Sequence, residues 1–241
     1  MKFNMIQLPF GAICPADDCN FPPRAAALGD IDIDNQIPGV GKAAGLVPGD
    51  VVVDIGAFVG DTACALARFG AEVYAFEPFF DSYLALHYNT QVWFQRNNPT
   101  ARPIHCFNSP VGNGERVRYV YECPGPNFGM RSVQSTTNAA DAISTVRIDD
   151  LHLPNCKLMK VDCEGSEIPA LLGAAETIKR CRPVLFVEMY EDGLKARGYT
   201  PEDLESTIRG LGYNLEMWGA PPRWDWFCRP LPVDSVKEGL L

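Results

Sequence analysis

The chain has 241 residues, 46% of them hydrophobic and 21% charged, with a net charge of −9 and a pI near 4.8. That length supports one large α/β core, or one core plus an extension. The acidic balance, without any Lys/Arg cluster, speaks against partners bound by phosphate neutralisation, nucleic acid first among them, and no apolar run nears the roughly 18 residues of a membrane span.

Residues 1–45 carry turn signals at Cys14-Pro15, Phe21-Pro22-Pro23 and Ile37-Pro38-Gly39, with a helical pattern only around Arg24 to Leu28. They are expected to form an irregular N-terminal extension that packs over a sheet edge or covers the substrate. The start, Met1 to Pro9, has no apolar stretch of signal-peptide length, so a cytoplasmic enzyme is expected. Nine cysteines, an odd number with no Cys-x-x-Cys pair, point to free thiols; a zinc site using Cys14 and Cys19 lacks a second close pair.

The stretch Val51-Val52-Val53-Asp54-Ile55-Gly56 is a β-branched run that stops at glycine, and Ala57 to Thr62 lead directly into Ala63-Cys64-Ala65-Leu66. Such a run reads as a strand buried on both faces, followed by a tight turn and a helix whose start faces a ligand crevice. The next strand, Glu72 to Phe76, ends in Glu77, about 20 residues beyond the first glycine, where an acid reaches the ribose hydroxyls of a nucleotide. A dinucleotide fingerprint needs glycine at the position of Phe58, because pyrophosphate must touch the backbone there. Phe58 therefore favours a nucleoside without phosphates, S-adenosylmethionine, over NAD.

Further along, a helix is expected over Asp81 to Trp93 with Asp81 as its N-cap, then a strand over Ala101 to Phe107 ending at Asn108-Ser109. Glu115 to Glu122 alternates at period two, as a half-exposed antiparallel strand does. A Gly/Asn/Ser/Thr-rich loop from Pro124 to Thr137 leads to a short strand, Thr145 to Ile148. Lys157 to Val161 is a core strand, Ile168 to Arg180 a helix, Val184 to Met189 a strand, and Pro201 to Leu211 a helix with Thr200 as N-cap. Asn214 to Trp218 and Trp224 to Cys228 close as a hairpin, giving a mostly parallel sheet with an antiparallel edge.

The second chemically loaded stretch is Lys160-Val161-Asp162-Cys163-Glu164-Gly165-Ser166-Glu167. Strand alternation sets Lys160, Asp162 and Glu164 on one side, crowding carboxylates at a strand's C-terminal end. Gly165 makes a turn, Ser166 is a candidate cap for the next helix, and Glu188 ends the following strand. Lys160 is expected to neutralise its neighbours.

These ordered pieces resemble the FkbM-type methyltransferases: Val53-Asp54-Ile55-Gly56-Ala57, Ala75-Phe76-Glu77-Pro78, Ile148-Asp149-Asp150-Leu151, Lys160 to Glu167, and Arg182-Pro183-Val184-Leu185-Phe186-Val187-Glu188. The resemblance covers Val47 to Cys228 and implies a class I methyltransferase fold, Rossmann-like with seven strands and helices on both faces, over residues 46–241. It also implies S-adenosylmethionine as donor and a small hydroxylated metabolite or sugar as acceptor. On this reading Asp54, Gly56, Ala57, Phe58, Gly60, Asp61 and Thr62 hold the methionine end of the donor and Glu77 the ribose. Pro78, Phe79, Asn108 and Ser109 surround the adenine, with His105 a candidate neighbour, and Asp162 borders the methyl group. Asp162, Glu164 and Glu188 are the candidate catalytic carboxylates, one of them taking the hydroxyl's proton. Three carboxylates also suit a divalent metal, but with no histidine near them in sequence no metal is expected. An NAD-dependent oxidoreductase and a non-catalytic scaffold on the same fold are the alternatives.

Overall fold

The computed structural model describes residues 4–18, 20–31, 36–120, 127–140, 142–220 and 223–232. Its main sheet has seven strands, and the chain divides into two compact units, residues up to 109 with 120–131, and 110–119 with residues from 132 onward.

The first unit begins with an antiparallel pair, β1 (Met5–Gln7) and β2 (Ile13–Pro15), then α1 (Phe21–Leu28) and α2 (Ile37–Ala43). This stretch is more regular than its turn signals suggest. The prolines of Phe21-Pro22-Pro23 and Ile37-Pro38 sit in the first turns of two helices, where the missing N–H is not needed and the fixed φ is already helical. Asp18 completes the start of α1, its Oδ1 accepting the N–H groups of Asn20 at 2.8 Å and Phe21 at 2.7 Å.

The central strand β3 (Val51–Ile55) is buried at all five positions, as its unbroken apolar run requires. It is followed by α3 (Asp61–Ala67), β4 (Glu72–Phe76), α4 (Phe80–Tyr88), a π-helical stretch (Asn89–Phe94), α5 (Gln95–Asn97) and β5 (Ile104–Phe107). Strands β3 and β4 pair in parallel from Val51 opposite Glu72 to Ile55 opposite Phe76, and β4 pairs with β5 up to Phe76 opposite Phe107. Successive strands therefore end side by side. Helix α4 starts at Phe80, one residue before the expected cap, so the N-cap is Phe79, which has no side-chain acceptor; Asp81 lies in the first turn, where its carboxylate accepts the Ser82 N–H and pairs with Arg131.

The second unit carries β6 (Arg116–Val120, all but its last residue), β7 (Ser132–Ser135) and β8 (Ile143–Ser144), a small sheet with β6 central. Val117 is buried between exposed Arg116 and Arg118, as the period-two pattern predicts; its continuation at Tyr121-Glu122 and the loop at Cys123 to Pro126 lie outside the described residues. The expected strand from Thr145 to Ile148 is reduced to a bridge at Val146, and Ile148–Leu151 forms a 3-10 turn. Then come β9 (Leu158–Val161), α6 (Glu167–Leu172), α7 (Ala175–Cys181), β10 (Val184–Glu188), α8 (Glu191–Ala196), α9 (Pro201–Gly210), β11 (Tyr213–Ala220) and β12 (Arg223–Pro230).

One helix was expected where α6 and α7 stand. It breaks at Gly173, which lies so close to Gly112 that a Cβ would meet the Gly112 carbonyl oxygen at 1.8 Å. The Gly173 carbonyl accepts the Asp149 N–H, and the Asp149 carboxylate then caps α7 through the N–H groups of Thr177 at 2.8 Å and Glu176 at 3.3 Å. Strand β10 runs parallel to β9 and antiparallel to β12, and β11 forms the outer strand of the closing hairpin. The main sheet has the order β11-β12-β10-β9-β3-β4-β5.

Helix α9 shows a reciprocal cap. Thr200 Oγ1 accepts the Asp203 N–H at 3.2 Å, Asp203 Oδ2 accepts the Thr200 N–H at 2.8 Å, and Pro201 opens the helix. Thr200→Ala is expected to cost about 1 kcal/mol and to lower the melting temperature by about 2–4 °C in a thermal scan. Among the described residues no helix is long and apolar enough to cross a membrane.

Candidate active site

In the first unit the turn after β3 is hung on the end of β4. The N–H groups of Gly56 and Ala57 both donate to the Phe76 carbonyl, at 3.0 and 2.9 Å, and the backbone then takes positive φ at Phe58 (46°) and Gly60 (91°). This places the Phe58 N–H on Glu77 Oε2 at 3.0 Å, while the Phe79 N–H donates to Glu77 Oε1 at 2.8 Å. Glu77 thus sits between two backbone donors, only 5% exposed. Burial pushes its carboxyl up to about 8, outweighing the Phe79 N–H, the nearby Arg131 cation and the Phe58 N–H. Each carboxylate oxygen has two lone pairs, so one remains on each for a ligand hydroxyl.

The other residues expected at the donor lie in β3, at the start of α3 and in the turns after β4 and β5. Asp54 is fully buried in β3, while Asp61 and Thr62 open α3. The Asn108 amide donates to the carbonyls of Glu77 and Pro78, both at 2.9 Å, so it fixes the turn that carries Phe79. Ser109 follows it, half-buried. Phe79 is buried with the Arg131 guanidinium 4.4 Å from its ring centre. His105 instead pairs with Glu72 at 3.0 Å and lies against Tyr74, and that contact leads in holding the Glu72 carboxyl below its usual range.

Sequence reasoning missed Arg131, Asp18, Phe21 and Asn89. Phe21 packs edge-on to Phe58, with ring centres 5.7 Å apart. Asn89 bonds the Val59 carbonyl at 2.8 Å and both backbone groups of Ile13. Phe21 and Asn89 touch the loop, Arg131 the turn at Phe79, and Asp18 the backbone of Phe21 and Phe128, contacts that no local spacing reveals.

In the second unit β9 ends in the acidic stretch. Lys160 Nζ meets Asp162 Oδ2 at 2.8 Å, which confirms that the two share a face. Glu164 then takes φ 55° and Gly165 φ 99°, and a Cβ on Gly165 would meet the Gly193 carbonyl group at 2.3 Å, so only glycine fits. This turn brings Glu164 beside Asp162 and Glu188, the last residue of β10, with one oxygen of each carboxylate within 4.8 Å of the others. Burial, followed by the charges of Asp162, Glu164 and Glu167 and a hydrogen bond with Asp162, pushes the Glu188 carboxyl well above its usual range. Ser166 precedes α6 without capping it through its side chain, whose hydroxyl accepts from Arg197 at 2.9 Å. The turn is closed instead by fully buried Glu167, whose Oε1 accepts the N–H groups of Cys163 and Gly165.

Trp218 stacks on Phe227 with ring centres 5.1 Å apart; Trp226 is half-buried on β12, and the Trp224 side chain lies outside the described residues. Seven cysteines, Cys14 among them, are free thiols, while Cys19 and Cys123 lie outside the described residues.

A mostly parallel seven-stranded sheet closed by an antiparallel hairpin, with an acid at the end of β4 and no basic residue from Gly56 to Thr62, is the framework of a Rossmann-like methyltransferase. Residues 54–215 match the family model described as the methyltransferase FkbM domain, and the chain belongs to that family, whose methyl donor is S-adenosylmethionine. The oxidoreductase alternative falls with this match. Among solved structures, the methyltransferase FkbM from Methylobacillus flagellatus KT is similar with TM-score 0.55 and 22% identity, over 80% of this chain and 46% of that one. The precorrin-6y C5,15-methyltransferase from Geobacter metallireducens GS-15 is similar with TM-score 0.52 and 12% identity, over 94% of this chain and 100% of that one. A putative rRNA methylase from Clostridium thermocellum gives TM-score 0.50 and 11% identity, over 80% and 94%. These likenesses concern the fold, and the chain spans about half the length of the Methylobacillus protein. No curated protein matches the sequence.

The residues present fit such a donor. A sulfonium nucleoside with an amino-acid tail offers a ribose diol and cationic groups but no phosphate. Strand β3 supplies a buried carboxylate at Asp54 and the end of β4 another at Glu77, and the loop puts an aromatic residue, Phe58, where pyrophosphate would need bare backbone.

Proposed function

We propose that this protein methylates a hydroxyl on a small metabolite or sugar, with Glu164 as the base that takes the hydroxyl's proton. The single observation that carries this reading is the convergence of Asp162, Glu164 and Glu188 at the ends of β9 and β10. When bound, the donor would supply an electrophilic methyl group, passed in line to the acceptor oxygen with the neutral thioether as leaving group. Glu77 accepts from the ribose hydroxyls, Asp54 and the loop from Gly56 to Thr62 take the methionine end, and Pro78, Phe79, Asn108 and Ser109 border the adenine. Burial and the neighbouring carboxylates raise the Glu188 carboxyl, which is hydrogen-bonded with Asp162, so Glu164 is the carboxylate assigned to take the substrate proton. Lys160 balances Asp162, so the cluster is not left with three uncompensated charges.

The same observation favours a second reading. Three carboxylate oxygens within 4.8 Å of one another suit a divalent cation, which would acidify the acceptor hydroxyl directly. The reading of the reaction itself is tested by incubating the protein with isotopically labelled donor and a panel of hydroxylated metabolites and sugars, followed by mass spectrometry. One labelled methyl on an oxygen of one panel member is expected. Transfer to nitrogen or carbon alone would overturn the assignment to a hydroxyl.

A further inference from the structure

Arg131 is a heavily engaged cation of the first unit, and nothing in the donor loop's spacing points to it. Its side chain is 3% exposed. Nη1 and Nη2 fork onto the two oxygens of Asp81, each at 2.9 Å, Nη2 also donates to Ser82 Oγ at 2.6 Å, and Nε donates to the Phe128 carbonyl at 3.1 Å. The guanidinium lies between two rings, 4.4 Å from the centre of Phe79 and 4.5 Å from that of Phe128. Phe128 is fixed in turn by Asp18, whose Oδ2 accepts its N–H at 2.7 Å while Oδ1 caps α1. A buried guanidinium costs free energy unless its donors are satisfied, and a forked carboxylate pair between two aromatic faces is the arrangement that satisfies it.

What this clasp grips is the turn that makes Glu77 a ligand. Phe79, under the guanidinium, is the residue whose N–H donates to Glu77 Oε1, and Asp81 and Ser82 open the helix that follows. We propose that Arg131 is a positioning residue of the donor site: its guanidinium, forked onto Asp81 and packed on the Phe79 and Phe128 rings, holds the Phe79 N–H on Glu77. Among the side-chain charges that act on Glu77, Arg131 favours its ionised form and Asp81 opposes it. The clasp also ties in the N-terminal segment, since Asp18 holds the backbone N–H of Phe128. The proposal rests on the reading of Glu77 as the ribose acid.

The test is calorimetric titration of S-adenosylhomocysteine into wild-type protein and the variants R131M, R131K and E77A between pH 6 and 9, with each variant's melting curve recorded without ligand. R131M is expected to bind about tenfold or more weakly, with the pH midpoint of its affinity raised by about half a unit or more, because the cation is gone. R131K keeps the charge but not the fork. It is expected to bind several-fold more weakly, with the midpoint where the wild type has it. Folded R131M with wild-type affinity, or an unmoved midpoint, beside a weakened E77A would overturn the role of Arg131 alone; if R131M does not fold, R131K with wild-type affinity does the same. Wild-type affinity in E77A would overturn the ribose assignment and the route through Glu77 with it.

Discussion

Replacing Glu164 by Gln is expected to cut turnover by roughly 10²-fold or more while leaving donor affinity nearly unchanged. The amide keeps the size of the side chain and the φ of 55° that its backbone already adopts, so the turn through Gly165 should survive. What is lost is the capacity to take a proton. With the base reading, wild-type activity persists in the presence of a chelator, because no step depends on a metal. With the metal reading, the chelator abolishes activity and added Mg²⁺ or Mn²⁺ restores it. A Glu164→Gln enzyme with wild-type turnover and no sensitivity to chelator would remove support from both and leave Glu164 a residue of the turn.

The second large effect belongs to Glu77. Glu77→Ala is expected to weaken binding of S-adenosylhomocysteine by about 2 to 4 kcal/mol, since charge-assisted hydrogen bonds in a buried site are lost. The pH dependence gives a sharper signature. The folded-state pKa of about 8 lies above the ordinary 4.5, so the folded protein holds a proton that the unfolded chain has released between these values. The stability of the unliganded protein should therefore fall as pH rises from about 4.5 to about 8. Ribose hydroxyls donate to the ionised carboxylate, so donor affinity should rise with pH up to about 8 and then level off. Glu77→Gln should flatten both trends. Affinity in Glu77→Gln that still rose with pH as in the wild type would assign the titration to another group.

The elements legible in the sequence were those whose signal is local. Val51 to Ile55 reads as a buried parallel strand because every position is apolar or enclosed, and Thr200-Pro201 reads as a helix start because a hydroxyl and a preset φ do the same work in any protein. Lys160 and Asp162 were placed on one face by strand alternation alone, and their ion pair follows from it. What the sequence hid depends on distant partners. Gly173 breaks a helix because of the Gly112 backbone, and Asp149 caps α7 from 27 and 28 residues away. Arg131 reaches Asp81 across 50 residues, from a stretch whose composition says only loop. The prolines near Phe21 and Ile37 misled in a simpler way, since the same residue starts helices and makes turns, and the apolar residues that settle the matter, such as Phe21 and Ile37 themselves, are buried by tertiary packing.

The central claim is that the loop from Gly56 to Thr62 and Glu77 form a site for a nucleoside donor without phosphates. The measurement that tests it most directly is calorimetric titration of the wild-type protein with S-adenosylhomocysteine and, in parallel, with NAD. One saturable site for S-adenosylhomocysteine and no heat from NAD is the result expected from Phe58 and the two buried acids. Saturable binding of NAD, or no binding of S-adenosylhomocysteine at any pH up to 9, would contradict it.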